Sequence, residues 1–147
     1  MANIIDRKHQ QGAAAIEFAA VFVLFFVLFY AVVGYMLPLL LAATYEEVAA
    51  DALREAVRHP DVLVATPQIQ SAQRQKVREA IDLLKLPPSW KSVCADRSDY
   101  LTIAGNLWSV CLRHPDPRSI LPPISLLGID VPQLPDEIRG EASLRIR

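Results

Sequence analysis

The side chains in this 147-residue chain with chemistry beyond packing are two cysteines, three histidines and one isolated glutamate. Cys94 and Cys111 can close a disulfide if they face an oxidising compartment, or remain as two half-buried thiols. Closing a loop this short is worth about 3 kcal/mol on the chain-entropy model. His9, His59 and His114 are scattered and have no metal-ligand spacing. Asp96, Asp99, Asp116, Asp130 and Asp136 lack the short regular spacing and central glycine of a calcium loop, and read as turn residues and solvated charge. No Ser/His/Asp or Cys/His constellation and no defensible carboxylate pair is present. The chain is therefore expected not to be an enzyme and to need no metal or cofactor. The net charge of −1, with no basic block, gives no reason to expect nucleic acid as a partner.

Glu17 is the group that demands a reason. It is the single charge between Gln10 and Thr44, and Phe18–Ala43 after it is an uncharged stretch of 26 residues. About 20 apolar residues in a helix cross a 30 Å hydrocarbon core, so this stretch is long enough to span a membrane. It is too long for the apolar core of a cleaved secretory signal, about 7–15 residues, and Leu41-Ala42-Ala43 is a poor cleavage site. Arg7 and Lys8 precede the span, while Glu46 and Glu47 follow it. Basic residues favour the cytoplasmic side, so the N-terminus is expected inside and residues 45–147 outside. A lone carboxylate is costly in lipid. Either Glu17 sits at the interface beside water and Lys8, or it meets a cation within an assembly.

The elements that would position these groups follow from periodicity. Residues 1–12 are polar, without period, and expected to be flexible. A helix is predicted over 13–59, about 70 Å long. Gly34 and Pro38 lie inside it, and Val48, Ala49, Ala52, Leu53, Ala56 and Val57 make an apolar face on its second half. Thr66 and Pro67 are suited to cap and start a second helix that Pro87-Pro88 ends. Its apolar stripe is Ile69, Ala72, Val77, Ala80, Ile81 and Leu84. The period then changes. A hairpin is predicted over about 99–113, turning at Gly105-Asn106 and pairing Ile103 with Trp108 and Leu101 with Val110. "SWKSVC" is a further strand or an extended loop. Ala142, Leu144 and Ile146 alternate with polar residues as in an edge strand. Segment 115–135 carries six prolines among isoleucines and leucines. It must lie against its own domain or dock on a partner. The fold class is α+β: a long membrane-spanning helix, a second amphipathic helix and a small antiparallel sheet, with residues 60–147 as the exported domain.

Gly12-Ala13-Ala14-Ala15-Ile16-Glu17-Phe18 resembles the processing motif of type IV prepilins. It is most similar to the TadE-like pseudopilins of tight-adherence (Tad, or Flp) pilus systems. In that family a short charged leader ends in glycine, cleavage follows it, and the fifth mature residue is glutamate followed by an aromatic. Arg7, Lys8, Gly12, Glu17, Phe18 and the span stand here in that order. The likeness covers about residues 7–43. Ala13 replaces the phenylalanine common in type IV pilins, and small residues there fit the TadE-like branch.

The resemblance implies a cleavable leader over 1–12, removed between Gly12 and Ala13 by a prepilin peptidase. It also implies a Glu17 that pairs with the new α-ammonium on Ala13 of a neighbouring subunit. The chain would then be a minor pilin or pseudopilin of the bacterial inner membrane, with other pilins as partners through its helix. The alternative is a single-span anchored periplasmic scaffold or binding protein that is neither processed nor incorporated into a filament.

Overall fold

The computed structural model describes residues 6–58, 66–126 and 128–146. Its architecture is α+β, as the periodicities predict. Helix α1 runs over Asp6–Val57, 52 residues and roughly 78 Å at 1.5 Å per residue. It begins at Asp6 rather than at Ala13, so residues 6–12 are helical where a flexible stretch was expected. Arg, Lys and Gln are good helix formers, and one interior glycine costs only about 1 kcal/mol. Extending an existing helix also needs no new nucleus. Pro38 remains inside α1 and is buried. His59, the expected last residue, lies outside the described residues.

Helix α2 spans Pro67–Asp82. Thr66 caps it, its hydroxyl accepting from the Ile69 N–H at 3.4 Å, and Pro67 occupies the first turn. The helix stops at Asp82, before the Pro87-Pro88 pair. The Leu84 N–H donates back to the Ile81 carbonyl at 3.2 Å, a tightened final turn. Lys91 Nζ donates to the Leu84 carbonyl at 3.1 Å and sits 3.5 Å from Asp82. Leu84 therefore lies just past the helix instead of continuing its stripe.

The main sheet is antiparallel and centred on β3 (Leu107–His114). Strand β1 (Ser92–Val93) and strand β2 (Leu101–Ala104) pair one edge of β3, and β6 (Ile138–Arg145) pairs the other along its whole length. The β2–β3 turn is Gly105-Asn106, with Gly105 at φ +62°, and the register joins Leu101 to Val110 and Ile103 to Trp108. Strands β4 (Ile124–Leu126) and β5 (Ile129–Val131) form a separate small hairpin.

The second half of α1 lies across this sheet, with α2 alongside. Tyr45, Ala49, Ala52, Leu53 and Ala56 of α1 meet Val77 and Ile81 of α2 and Leu101, Val110, Leu112 and Ile138 of the sheet. Three alanines on one face let the backbones come close. The closest approach is at Gly140, where an added Cβ would lie 2.4 Å from the Tyr45 carbonyl carbon. The outer face of β3 is also covered. Ser109 and Cys111 are buried beneath the loop from Cys94 to Tyr100, where Arg97 donates to Ser109 Oγ at 3.0 Å and to Glu141.

The proline-rich segment packs on its own chain: its start, with Pro117 buried and Ile120 against the core, belongs to the sheet domain, and the remainder leaves it. That remainder folds back along the apolar half of α1. Tyr30 donates its hydroxyl to the Pro122 carbonyl at 2.5 Å, and the Gln133 N–H donates to Tyr35 Oη at 3.1 Å. Gly34 is buried beneath Pro132 and Leu121.

Candidate assembly and membrane site

Gly12, Ala13, Glu17 and Phe18 all lie on the uninterrupted first stretch of α1, and all four are exposed. A Cβ added at Gly12 would meet nothing within 4 Å. Ala13 and Glu17 are one turn apart on one helix face, about 6 Å between Cβ atoms. Phe18 is 72% exposed and stacks on Phe22 with ring centroids 6.3 Å apart. Among the described residues, Glu17 makes no hydrogen bond or ion pair. Its carboxylate is thus presented at the base of an apolar surface with no partner from the folded domain. Arg7 and Lys8 precede it on the same helix.

Beyond Glu17 the helix is clad in Val21, Phe22, Leu24, Phe25, Phe26, Leu28 and Phe29, all exposed. The stretch Gly12–Val57 is a candidate membrane span by length and composition, and no residue of its most apolar window is buried. A soluble chain seldom leaves so long an apolar surface open.

Cys94 and Cys111 are joined in a disulfide and both are buried. The bridge ties the loop carrying Arg97 and Asp99 onto the outer face of β3. Asp99 departs from the solvated charge expected for it: it is 8% exposed. Arg74 and Arg78 of α2 donate to its Oδ2 at 3.1 and 3.0 Å, and the Tyr100 N–H donates to Oδ1 at 2.8 Å. Burial alone would raise its pKa, but these donors outweigh burial and hold the carboxyl below the usual carboxylate range. Asp96, Asp116, Asp130 and Asp136 are exposed, as expected. The i,i+4 pair Arg74 and Arg78 was the available signal that α2 carries a basic face; its partner 21 residues beyond Arg78 had none.

His114 is 2% exposed and stacks on Trp90, ring centroids 4.9 Å apart. Among the described residues neither ring nitrogen has a hydrogen-bond partner, and burial pushes its pKa down. An open cavity of about 630 Å³ lies between α1 and α2 and includes Asp51, Glu55, Lys76 and Glu79. Lys76 and Glu79 hydrogen-bond at 3.0 Å, which raises the one and lowers the other. Both stay charged at neutral pH, unsuited to passing protons. Among the described residues no three His, Cys, Asp or Glu side chains are grouped to hold a metal ion. No family model, curated protein or solved structure matches this chain.

Proposed function

We propose that this chain is a TadE-like minor pilin or pseudopilin, a structural component needed for assembly of a Tad/Flp-type pilus. The observation that carries the reading is the register of Gly12, Glu17 and Phe18 at the base of an exposed apolar helix, which ends in a compact disulfide-bonded head. A prepilin peptidase of the inner membrane cuts after Gly12. That removes Arg7 and Lys8 and leaves an α-ammonium on Ala13. An α-amine and a carboxylate are oppositely charged at neutral pH. With a small stagger between helices, Glu17 of one subunit meets Ala13 of the next, which relieves the buried charge and sets the register. The apolar flank of α1 then exchanges lipid for neighbouring helices.

A second reading, an unprocessed single-span periplasmic scaffold, is favoured by one observation: α1 runs helically through Gly12 from Asp6. A protease takes an extended chain, so cleavage requires this turn to unwind locally, which Gly12 eases. The intact mass and N-terminal sequence of the protein from its native membrane separate the two. A chain beginning at Ala13 is expected; retention of Arg7 and Lys8 would leave the anchor. Glu17→Gln is expected to insert in the membrane as well as the wild type while assembly with its pilin partners is lost. Normal assembly of that variant would refute the Glu17–Ala13 pairing.

A further inference from the structure

The β4–β5 hairpin sits against the helix at a level that a bilayer would also occupy. Ile124 and Val131 face Val23, Phe26, Val27 and Tyr30 across a gap of about 150 Å³. Ser125 and Asp130 pair on the opposite face of the hairpin, and both are exposed. Between Ala13 and Phe22, below the hairpin, α1 offers only 10 residues, about 15 Å of helix. A span needs about 20 residues. Shifting the span toward the N-terminus would place Asp6, Arg7 and Lys8 in hydrocarbon, which is costly. A bilayer that α1 crosses without taking in Asp6, Arg7 and Lys8 therefore contains at least Val23–Leu28, part of the level at which the hairpin docks.

A docked hairpin would then reach into lipid too. A two-stranded hairpin has two open backbone edges, and lipid-exposed edges are not tolerated in the hydrocarbon region. Asp130 would also point outward into acyl chains. The docked contacts are two hydrogen bonds, the packing of Pro132 and Leu121 on Gly34, and Ile124 and Val131 facing the helix across that gap. Prolines flank the hairpin on both sides, at Pro122, Pro123, Pro132 and Pro135.

We propose that the α1 face formed by Val23, Val27, Tyr30 and Gly34 is a lipid-binding surface for which bilayer acyl chains and the β4–β5 hairpin compete. In the membrane the hairpin is off the helix and at the interface. It docks when the helix leaves lipid. The inference rests on α1 being a membrane span, the part common to both readings above, and not on entry into a filament.

The test uses the full chain in dioleoyl phosphatidylcholine vesicles, with nitroxides on Phe29→Cys and Ser125→Cys; the Cys94–Cys111 bridge takes no label. Pulsed dipolar spectroscopy should report a separation longer than the docked one by about 12 Å or more, the height of Val23–Tyr30 along the helix. Gly34→Leu forces Pro132 and Leu121 off α1. It should leave the vesicle distribution unchanged, because the hairpin is already free. A docked separation in vesicles, or a shift on adding Gly34→Leu, would overturn the proposal while α1 remains a span. Carbonate extraction of the same vesicles distinguishes the other failure: a chain that is stripped off overturns the span itself, and the proposal with it.

Discussion

Gly140→Ala isolates the contact on which the helix–sheet interface depends. The new Cβ would lie 2.4 Å from the Tyr45 carbonyl carbon, 2.5 Å from its Cβ and 2.6 Å from the Glu46 nitrogen. Carbon atoms in ordinary contact sit about 3.5–4 Å apart, so α1 must back away from β6 by about 1 Å. None of the opposing atoms is the end of a flexible side chain. Both partners are fixed, one by the helix ladder and the other by pairing of Gly140 with Leu112. A radial gap of 0.5–1 Å forfeits about a quarter to a half of each van der Waals contact it opens. The gap would run along Tyr45, Ala49, Val110 and Ile138. Overpacking of side chains costs about 1–3 kcal/mol, and a backbone-to-backbone clash belongs at the top of that range, about 3 kcal/mol. The assay is urea unfolding of the full chain in dodecyl maltoside, followed by fluorescence of Trp90 and Trp108. With a slope of about 1–3 kcal/mol per molar, the midpoint should fall by about 1–3 M. Gly105→Ala is the control. Its neighbourhood is open and its strain is only φ +62°, so it should lose roughly 1–2 kcal/mol. A Gly140→Ala loss under about 0.5 kcal/mol, the scale of neutral surface changes, would refute the reasoning.

Three further outcomes follow from the packing. Reducing the Cys94–Cys111 bridge, whose ends are 17 residues apart, or replacing both by alanine, should remove about 3 kcal/mol and speed hydrogen exchange in the loop over Asp96 to Asp99. Equal urea midpoints for oxidised and reduced protein would contradict this. Asp99→Asn should cost about 1–2 kcal/mol, less than a fully buried charge pair because Arg74 and Arg78 stay partly solvated. Since the folded Asp99 pKa is depressed, its contribution is complete above the unfolded value near 4 and is lost as pH falls below it. The variant should therefore lose part of the wild type's acid sensitivity in that range. His114 is also depressed, so the unfolded chain takes up its proton first as pH drops below about 6.5. Stability should fall by up to about 1.4 kcal/mol per pH unit from there down to the folded pKa. His114→Phe should flatten that slope and keep the Trp90 stack; an unchanged slope would mean that another group titrates.

The sequence by itself determined the features that depend on neighbours along the chain. The uncharged run after Glu17 dictated a long helix, because only length and apolarity matter for that. Thr66-Pro67 marked the start of α2 through local capping. Gly105-Asn106 fixed the β2–β3 register, since a two-residue turn and strict alternation leave one pairing. Gly12, Glu17 and Phe18 lie within seven residues, so their common place at the base of α1 was legible for the same reason. What only the tertiary structure decided involves partners distant in the chain. Asp99 looked like another turn aspartate until two arginines from α2 closed on it. Nothing along the chain singles out Gly140 until α1 is laid across it. The apolar proline-rich segment had to pack somewhere, and alternation has no power to name its target. Only the folded chain puts Ile124 and Val131 over Val27 and Tyr30, because apolar contact is non-directional and its partner is chosen by the geometry that brings surfaces together.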